Sequence, residues 1–272
     1  MYRKEGPKAE RSLGETEFVR GQAAMSASGT FGRAGACDVM FGNVDLTLGS
    51  AVEPILEQHI AASGGRFRGV RISSGWHADE KVGNVTEQPN LLIDPRVSEA
   101  AAVLSRMGLS LDCWLYHPQL DEVAQLADAH PALTIILNHV GSPILGGPYR
   151  GKSDEVFKDW KAAIIQVSRR QNVFVKLGAL PIRMPSFGGD RSVPPGSEEV
   201  AAAWRPWMET CIEAFGPTRS MYESNFPVQK RWCSYQVCWN AFKRISASAS
   251  ASEKADLFAG AAARAYRLEN VL

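Results

Sequence analysis

Leu109-Ser110-Leu111-Asp112-Cys113-Trp114-Leu115-Tyr116, a helical pattern to about His130, and then Leu133-Thr134-Ile135-Ile136-Leu137-Asn138-His139-Val140 read as strand, helix and strand. Both strand candidates are near-continuous apolar runs, the signature of strands buried on both faces of a parallel sheet rather than the alternation of a half-exposed one. The same unit recurs outward in both directions. Upstream stand Cys37 to Leu46 with a helix around Val52–Ala62, and Phe67-Arg68-Gly69-Val70-Arg71-Ile72 with a helix around Pro95–Met107. Downstream stand a helix around Asp154–Arg169, Asn172 to Leu177, a helix from about Ser197 to Phe215, and Arg219-Ser220-Met221-Tyr222-Glu223. Helices around Ser234–Ile245 and Ser252–Leu268 close the chain.

Alternating strands and helices fit either an open doubly wound sheet or a TIM-type barrel. An open nucleotide-binding sheet usually carries a glycine-rich turn after its first strand, and none follows here; Ser28 to Gly35 is glycine-rich but leads into no helix. Polar residues instead mark the C-terminal ends of successive strands: Arg71, Tyr116-His117, Asn138-His139, Lys176, Glu223 and Asn225. A barrel gathers its site from those ends, so an α/β fold of the (β/α)8 type is expected, as a single domain over residues 1–272. Only six strands are found, about 60 residues short of the eight-stranded closure. The expectation is therefore a barrel lacking its first two βα units, with the helix from Thr16 to Met25 as the tail of a unit whose strand is absent. Such a chain, with two unpaired edges, is expected to be poorly stable or oligomeric.

Composition narrows the function classes. The chain has 272 residues, with 30 basic against 29 acidic side chains and a net charge of +1. That balance argues against nucleic acid or an anionic membrane as partner. No apolar run reaches the length of a membrane span, and the start, Met1 to Pro7, has no signal-peptide core. Five cysteines without a close C-x-x-C pair read as reduced, buried thiols, which suits a cytoplasmic protein.

Among the strand-end residues, His139 is the sharpest: a neutral imidazole there offers one donor and one acceptor and can bind a metal or move a proton. A hydrogen-bonded structural histidine is the competing reading. His117 and Gln119, in Tyr116-His117-Pro118-Gln119, either face a substrate or cap the helix that Pro118 starts. Arg71 presents a planar fork suited to a carboxylate, so an acidic substrate is implied if it is functional. Lys176 reads more readily as a structural cation, snorkelling or paired with Glu223, than as a catalytic one. Glu223 is a candidate base or metal ligand, and strand parity puts it on one face with Asn225, which can orient or bind but cannot take a proton. His59 and His130 read as solvent-facing, His77 as a weaker site candidate, and the tryptophan-rich helix around Trp204 as core.

Taken together, Leu137-Asn138-His139-Val140-Gly141, Val173-Phe174-Val175-Lys176-Leu177-Gly178 and Met221-Tyr222-Glu223-Ser224-Asn225-Phe226-Pro227 resemble the amidohydrolase-related branch that contains 2-pyrone-4,6-dicarboxylate lactonase and sugar lactonases. Phe67 to Arg71, Tyr116 to Gln119 and the closing segment Ala259 to Leu268 agree in order and spacing. The resemblance implies a TIM barrel that hydrolyses small cyclic esters or amides, with a divalent metal such as zinc or manganese or without one. It implies that His139 binds metal or polarises the substrate carbonyl, that Arg71 binds a substrate carboxylate, and that Asn225 stands where many relatives carry a water-activating aspartate. The family's first-strand H-x-H pair has no counterpart in this sequence. The expected function is thus a hydrolase opening a lactone or related bond in an acidic small molecule, with His139, Asn225 and Glu223 catalytic and Arg71, His117, Gln119 and Tyr116 binding substrate. The rival readings are a non-catalytic relative that binds a small acid or a partner, and a decarboxylase or hydratase of the same superfamily.

Overall fold

The computed structural model describes residues 2–32, 35–180 and 194–268. Six strands form one parallel sheet in sequence order: β1 (Met40–Asn43), β2 (Phe67–Ser73), β3 (Ser110–Trp114), β4 (Ile135–Leu137), β5 (Val173–Leu177) and β6 (Ser220–Tyr222). Helices α1 (Leu13–Ala27), α2 (Glu53–Ala62), α3 (Pro95–Arg106), α4 (Leu120–Ala129), α5 (Ser153–Ser168) and α6 (Ser197–Phe215) alternate with them, and α7 (Tyr235–Ile245), α8 (Ala251–Ala255) and α9 (Ala261–Tyr266) follow β6. Every neighbouring pair is parallel, so the sheet is a partial (β/α)8 barrel with no ladder joining β1 to β6 among the described residues.

The strands are shorter than their apolar runs because the ladder stops where chains leave for the loops; Leu133 to Val140, for instance, contributes only Ile135–Leu137. The expected Ser252–Leu268 helix is continuous from Ala251 to Tyr266, with one wider, π-helical turn over Asp256–Gly260 joining α8 to α9. Helix starts follow local chemistry. Asp94 accepts from the Arg96 N–H with Pro95 in the first turn of α3, Ser234 caps α7, and Ser250 with Glu253 forms a capping box at α8.

Side chains alternate across the sheet. Val70, Ile72, Leu111, Cys113, Ile135, Leu137, Val173, Val175 and Leu177 join the helices in the main core. The opposite face carries Phe41, Arg71, Asp112, Ile136, Lys176 and Met221. Ile136 and Met221 pack there against Ala261, Ala265 and Tyr266 of α9. The sheet therefore has an oily outer face under the helices and a charged inner face covered in part by the last helix.

His59 departs from the solvent-facing expectation. It is fully buried between α1 and α2, with Thr16 Oγ1 2.7 Å from Nδ1, Ser12 Oγ 3.2 Å from Nε2 and Phe67 stacked on the ring. α1 packs on α2, and that covers the ring. His130 is half-buried and meets Ser98 Oγ at 2.8 Å. Burial, aided by the Arg3 charge, draws the His59 pKa down to about 4. The folded state therefore resists a proton that the unfolded chain accepts near 6.5. The stability this confers is whole above pH 6.5 and is lost as pH falls towards 4, by up to about 3 kcal/mol. Thermal melts from pH 7 to pH 4.5 should show a falling Tm, with a shallower fall in His59→Gln; parallel curves would remove His59 as the cause.

Candidate active site

The ends of β2 to β6 converge on the inner face, and each polar side chain is held by a traceable local cause. After β4, residues His139, Val140, Gly141 and Ser142 have φ of 57°, 49°, 73° and 41°, one left-handed turn closed by Gly141 N–H to Asn138 O (3.0 Å) and Ser142 N–H to His139 O (2.8 Å). Non-glycine residues, a β-branched valine above all, adopt this conformation at a cost of about 1–2 kcal/mol each, so surrounding contacts must hold it. Trp160 Nε1, fully buried on α5, donates to Val140 O at 2.7 Å. His117 N–H donates to Ser142 O at 3.3 Å, and its Nδ1 accepts from Ile144 N–H at 3.2 Å. Gly141 is tight against Leu120, where a Cβ would lie 2.8 Å from Cδ2. Clamped between His117 and Trp160, the turn presents His139 to the inner face.

There the Nδ1 of His139 contacts Glu223 Oε1 directly. Glu223 comes from beyond β6, whose last residue is Tyr222, so strand parity does not extend to Glu223 and Asn225. Its N–H donates to Leu177 O at 3.2 Å, and Gly178 permits the approach, since a Cβ at that position would collide with the Glu223 backbone. Burial alone would raise the Glu223 carboxyl, but the charge and hydrogen bond of His139 and the charges of Lys176 and Arg71 outweigh it and lower it to about 2. An ionised carboxylate can only accept, so His139 carries a proton on Nδ1 and directs Nε2 to other work.

Arg71, on β2, donates from Nη2 to Asn138 Oδ1 at 2.6 Å and lies over the Phe41 ring at 5.0 Å. Its side chain keeps 29% exposure. Lys176, expected to snorkel or to pair with Glu223 if structural, makes its ion pair with Asp112 instead, Nζ to Oδ1 at 2.6 Å. Asp112 and Lys176 both face inward, Lys176 Nζ lies 4.7 Å from the centre of the Phe41 ring, and Glu223 is already engaged by His139. Tyr266 Oη donates to the same carboxylate, 2.9 Å from each oxygen. Asp112, Tyr266 and Trp160 were not singled out in the sequence. An acidic residue inside the apolar run Leu109 to Tyr116 was the available signal for Asp112, but nothing local marks Tyr266 or Trp160.

Three expected substrate-binding residues make their polar contacts to the protein itself. Tyr116 Oη donates to Gly83 O at 2.6 Å. Gln119 Nε2 donates to Ser74 O (2.9 Å) and Glu122 Oε1 (3.0 Å), while its Oε1 accepts from Trp76 N–H (2.9 Å). Burial lowers the His117 pKa to about 4, with Asp159 opposing and His77 assisting, and Tyr149 packs on its ring. These residues fasten the segment after β2 and the turn after β4. Asn225 sits at φ 51° with its carbonyl accepting from Gln229 N–H at 3.0 Å; its amide has no partner among the described residues. His77 meets Tyr149 Oη at 3.1 Å, outside this group.

A divalent metal is implied by the resemblance, and the residues can be tested against it. A catalytic zinc site takes about three protein ligands. Among the described residues no three His, Cys, Asp or Glu side chains gather as a metal site, the His139 Nδ1 is taken by Glu223, and Arg71 and Lys176 place two cations nearby. The described residues do not fit a metal. Calorimetric titration with zinc should accordingly show only weak binding. Tight one-to-one binding lost in His139→Ala would contradict that.

This partial (β/α)8 barrel gathers an imidazole, a carboxylate and a guanidinium at the C-terminal ends of its strands, the face at which barrels of this type place their sites. The particular family follows from comparison: residues 22–268 match the amidohydrolase family model, and the chain belongs to that family. It is 34% identical over 217 residues to the uncharacterized protein y4mH of Sinorhizobium fredii, covering 80% of this chain and 66% of that one. It is 28% identical over 176 residues to the L-fucono-1,5-lactonase of Burkholderia multivorans, covering 64% of this chain and 57% of the relative. The chain thus spans under two thirds of both curated relatives. The solved structure of an amidohydrolase from Burkholderia multivorans with bound zinc superposes with a TM-score of 0.73 at 25% identity, covering 94% of this chain and 80% of that one. Among the described residues no helix is long and apolar enough to cross a membrane.

Proposed function

We propose that this protein opens the ring of a small carboxylated lactone by adding water. The observation that carries the reading is the His139–Glu223 contact at the ends of β4 and β6, with the Arg71 guanidinium facing the same space. Similarity to an L-fucono-1,5-lactonase supports a cyclic ester as substrate. Glu223, ionised above about pH 2, fixes the imidazole and stabilises its protonated form. His139 Nε2 removes a proton from water as the water attacks the carbonyl carbon, and the imidazolium then returns that proton to the departing ring oxygen. Asn225, whose amide has no partner among the described residues, would donate to the carbonyl oxygen as charge develops on it. Arg71 grips the carboxylate and sets the ring's orientation. Tyr116, His117 and Gln119 contribute by fastening the segment after β2 and the turn after β4.

The test is hydrolysis of a panel of carboxylated and neutral five- and six-membered lactones, followed by proton release. Turnover of a carboxylated lactone that disappears in His139→Gln supports the reading. Binding without turnover across the panel would favour a non-catalytic role, and release of carbon dioxide from aromatic acids would favour a decarboxylase.

A further inference from the structure

Asp112 lies at the centre of β3, completely buried on the inner face, and three groups from three elements point at it. Lys176 Nζ of β5 is 2.6 Å away, Tyr266 Oη of α9 is 2.9 Å from both oxygens, and Arg71 Nη2 of β2 is 3.9 Å away. One carboxylate cannot fully neutralise two cations, and the distances show which one holds it. Lys176 is in direct contact and only 7% exposed, with Nζ over the rings of Phe41 and Tyr266. Arg71 stands off, turns Nη2 to Asn138 and leaves its buried Nε without a partner among the described residues. Glu223, the other inner carboxylate, is committed to His139.

We propose that Lys176 is a positioning residue for carboxylate recognition: by occupying Asp112, it keeps the Arg71 guanidinium free for the substrate. This rests on the reading of Arg71 given above. The physical argument is competition for a buried charge. An uncompensated buried carboxylate is costly, so removing Lys176 would draw in the nearest remaining cation. That cation is Arg71, and closing the gap from 3.9 Å would turn its fork into the sheet and away from the mouth. The loss would occur although Lys176 itself never touches the ligand. Removing Asp112 as well abolishes the competitor, so the double variant should recover what the single one loses.

The experiment is calorimetric binding of glutarate, which has carboxylates but no bond to hydrolyse, beside glutarimide as the neutral probe. Arg71→Met should abolish the preference for glutarate in the otherwise wild-type protein. Lys176→Met should raise the glutarate Kd about tenfold, and Lys176→Met/Asp112→Asn should return it to within about threefold of wild type, with glutarimide unchanged throughout. Asp112→Asn alone should bind glutarate at least as well as wild type, which keeps the idea testable if Lys176→Met does not fold. Wild-type binding in Lys176→Met, a double variant that melts normally yet does not recover, or an Asp112→Asn as weak as Arg71→Met would each overturn the proposal. Glutarate binding that does not depend on Arg71 would instead overturn the carboxylate reading from which it starts.

Discussion

His139→Gln should lower kcat for lactone opening by about 10²–10⁴-fold while leaving KM for a carboxylated lactone nearly unchanged, the range expected when a positioned proton-transfer group is removed. Glutamine keeps a donor towards Glu223 but offers no nitrogen that can take a proton from water. Glu223→Gln should cost less, because the imidazole remains but loses the carboxylate that accepts from Nδ1 and offsets its positive charge. The sign of the pH dependence follows from the Glu223 carboxyl, lowered to about 2. Its folded value lies below its unfolded one, so its contribution to stability is whole above about pH 4.5 and is lost as pH falls towards 2. Activity between pH 4 and pH 8 should therefore show no step from Glu223. Kinetics across that range for wild type and both variants make the check, and a rise in KM alone in His139→Gln would place the residue in binding rather than in proton transfer.

Arg71→Met should weaken transition-state binding of a carboxylated lactone by about 2–4 kcal/mol, the scale of losing one partner of a desolvated charged pair. The guanidinium is 29% exposed, which places the expected loss at the lower end of that range. A neutral lactone should suffer far less, since it offers the fork nothing to grip. Arg71→Lys should rescue only partly, because a point charge cannot reproduce two parallel hydrogen bonds. The comparison is kcat/KM for both substrates in wild type and both variants. Equal losses for charged and neutral substrates would show that Arg71 serves the structure through Asn138 and Asp112, and the acidic-substrate reading would fall with it.

The order of strands, their parallel sense and the convergence of Arg71, His139 and Glu223 at their C-terminal ends were legible in the sequence. Long apolar runs admit no half-exposed sheet, and a parallel βα alternation puts the strand ends on one side. Partners were not legible. Strand parity placed Glu223 and Asn225 on one face, but β6 ends at Tyr222 and both residues lie in the turn that follows. Lys176 was read as snorkelling or paired with Glu223, whereas its ion pair is with Asp112. His59 looked exposed because its helix is an outer one, and only the packing of α1 over α2 buries it.

The sequence by itself determined the fold class and which strand ends carry chemistry, because hydrophobic periodicity and strand-terminal polarity are local properties of the chain. Tertiary structure alone decided which of those groups meet. The His139 turn is left-handed only because Trp160 and His117 clamp it from separate elements. Tyr266 reaches Asp112 across 154 positions of sequence. Contacts of that separation depend on how helices and strands pack in three dimensions, and no local pattern encodes them.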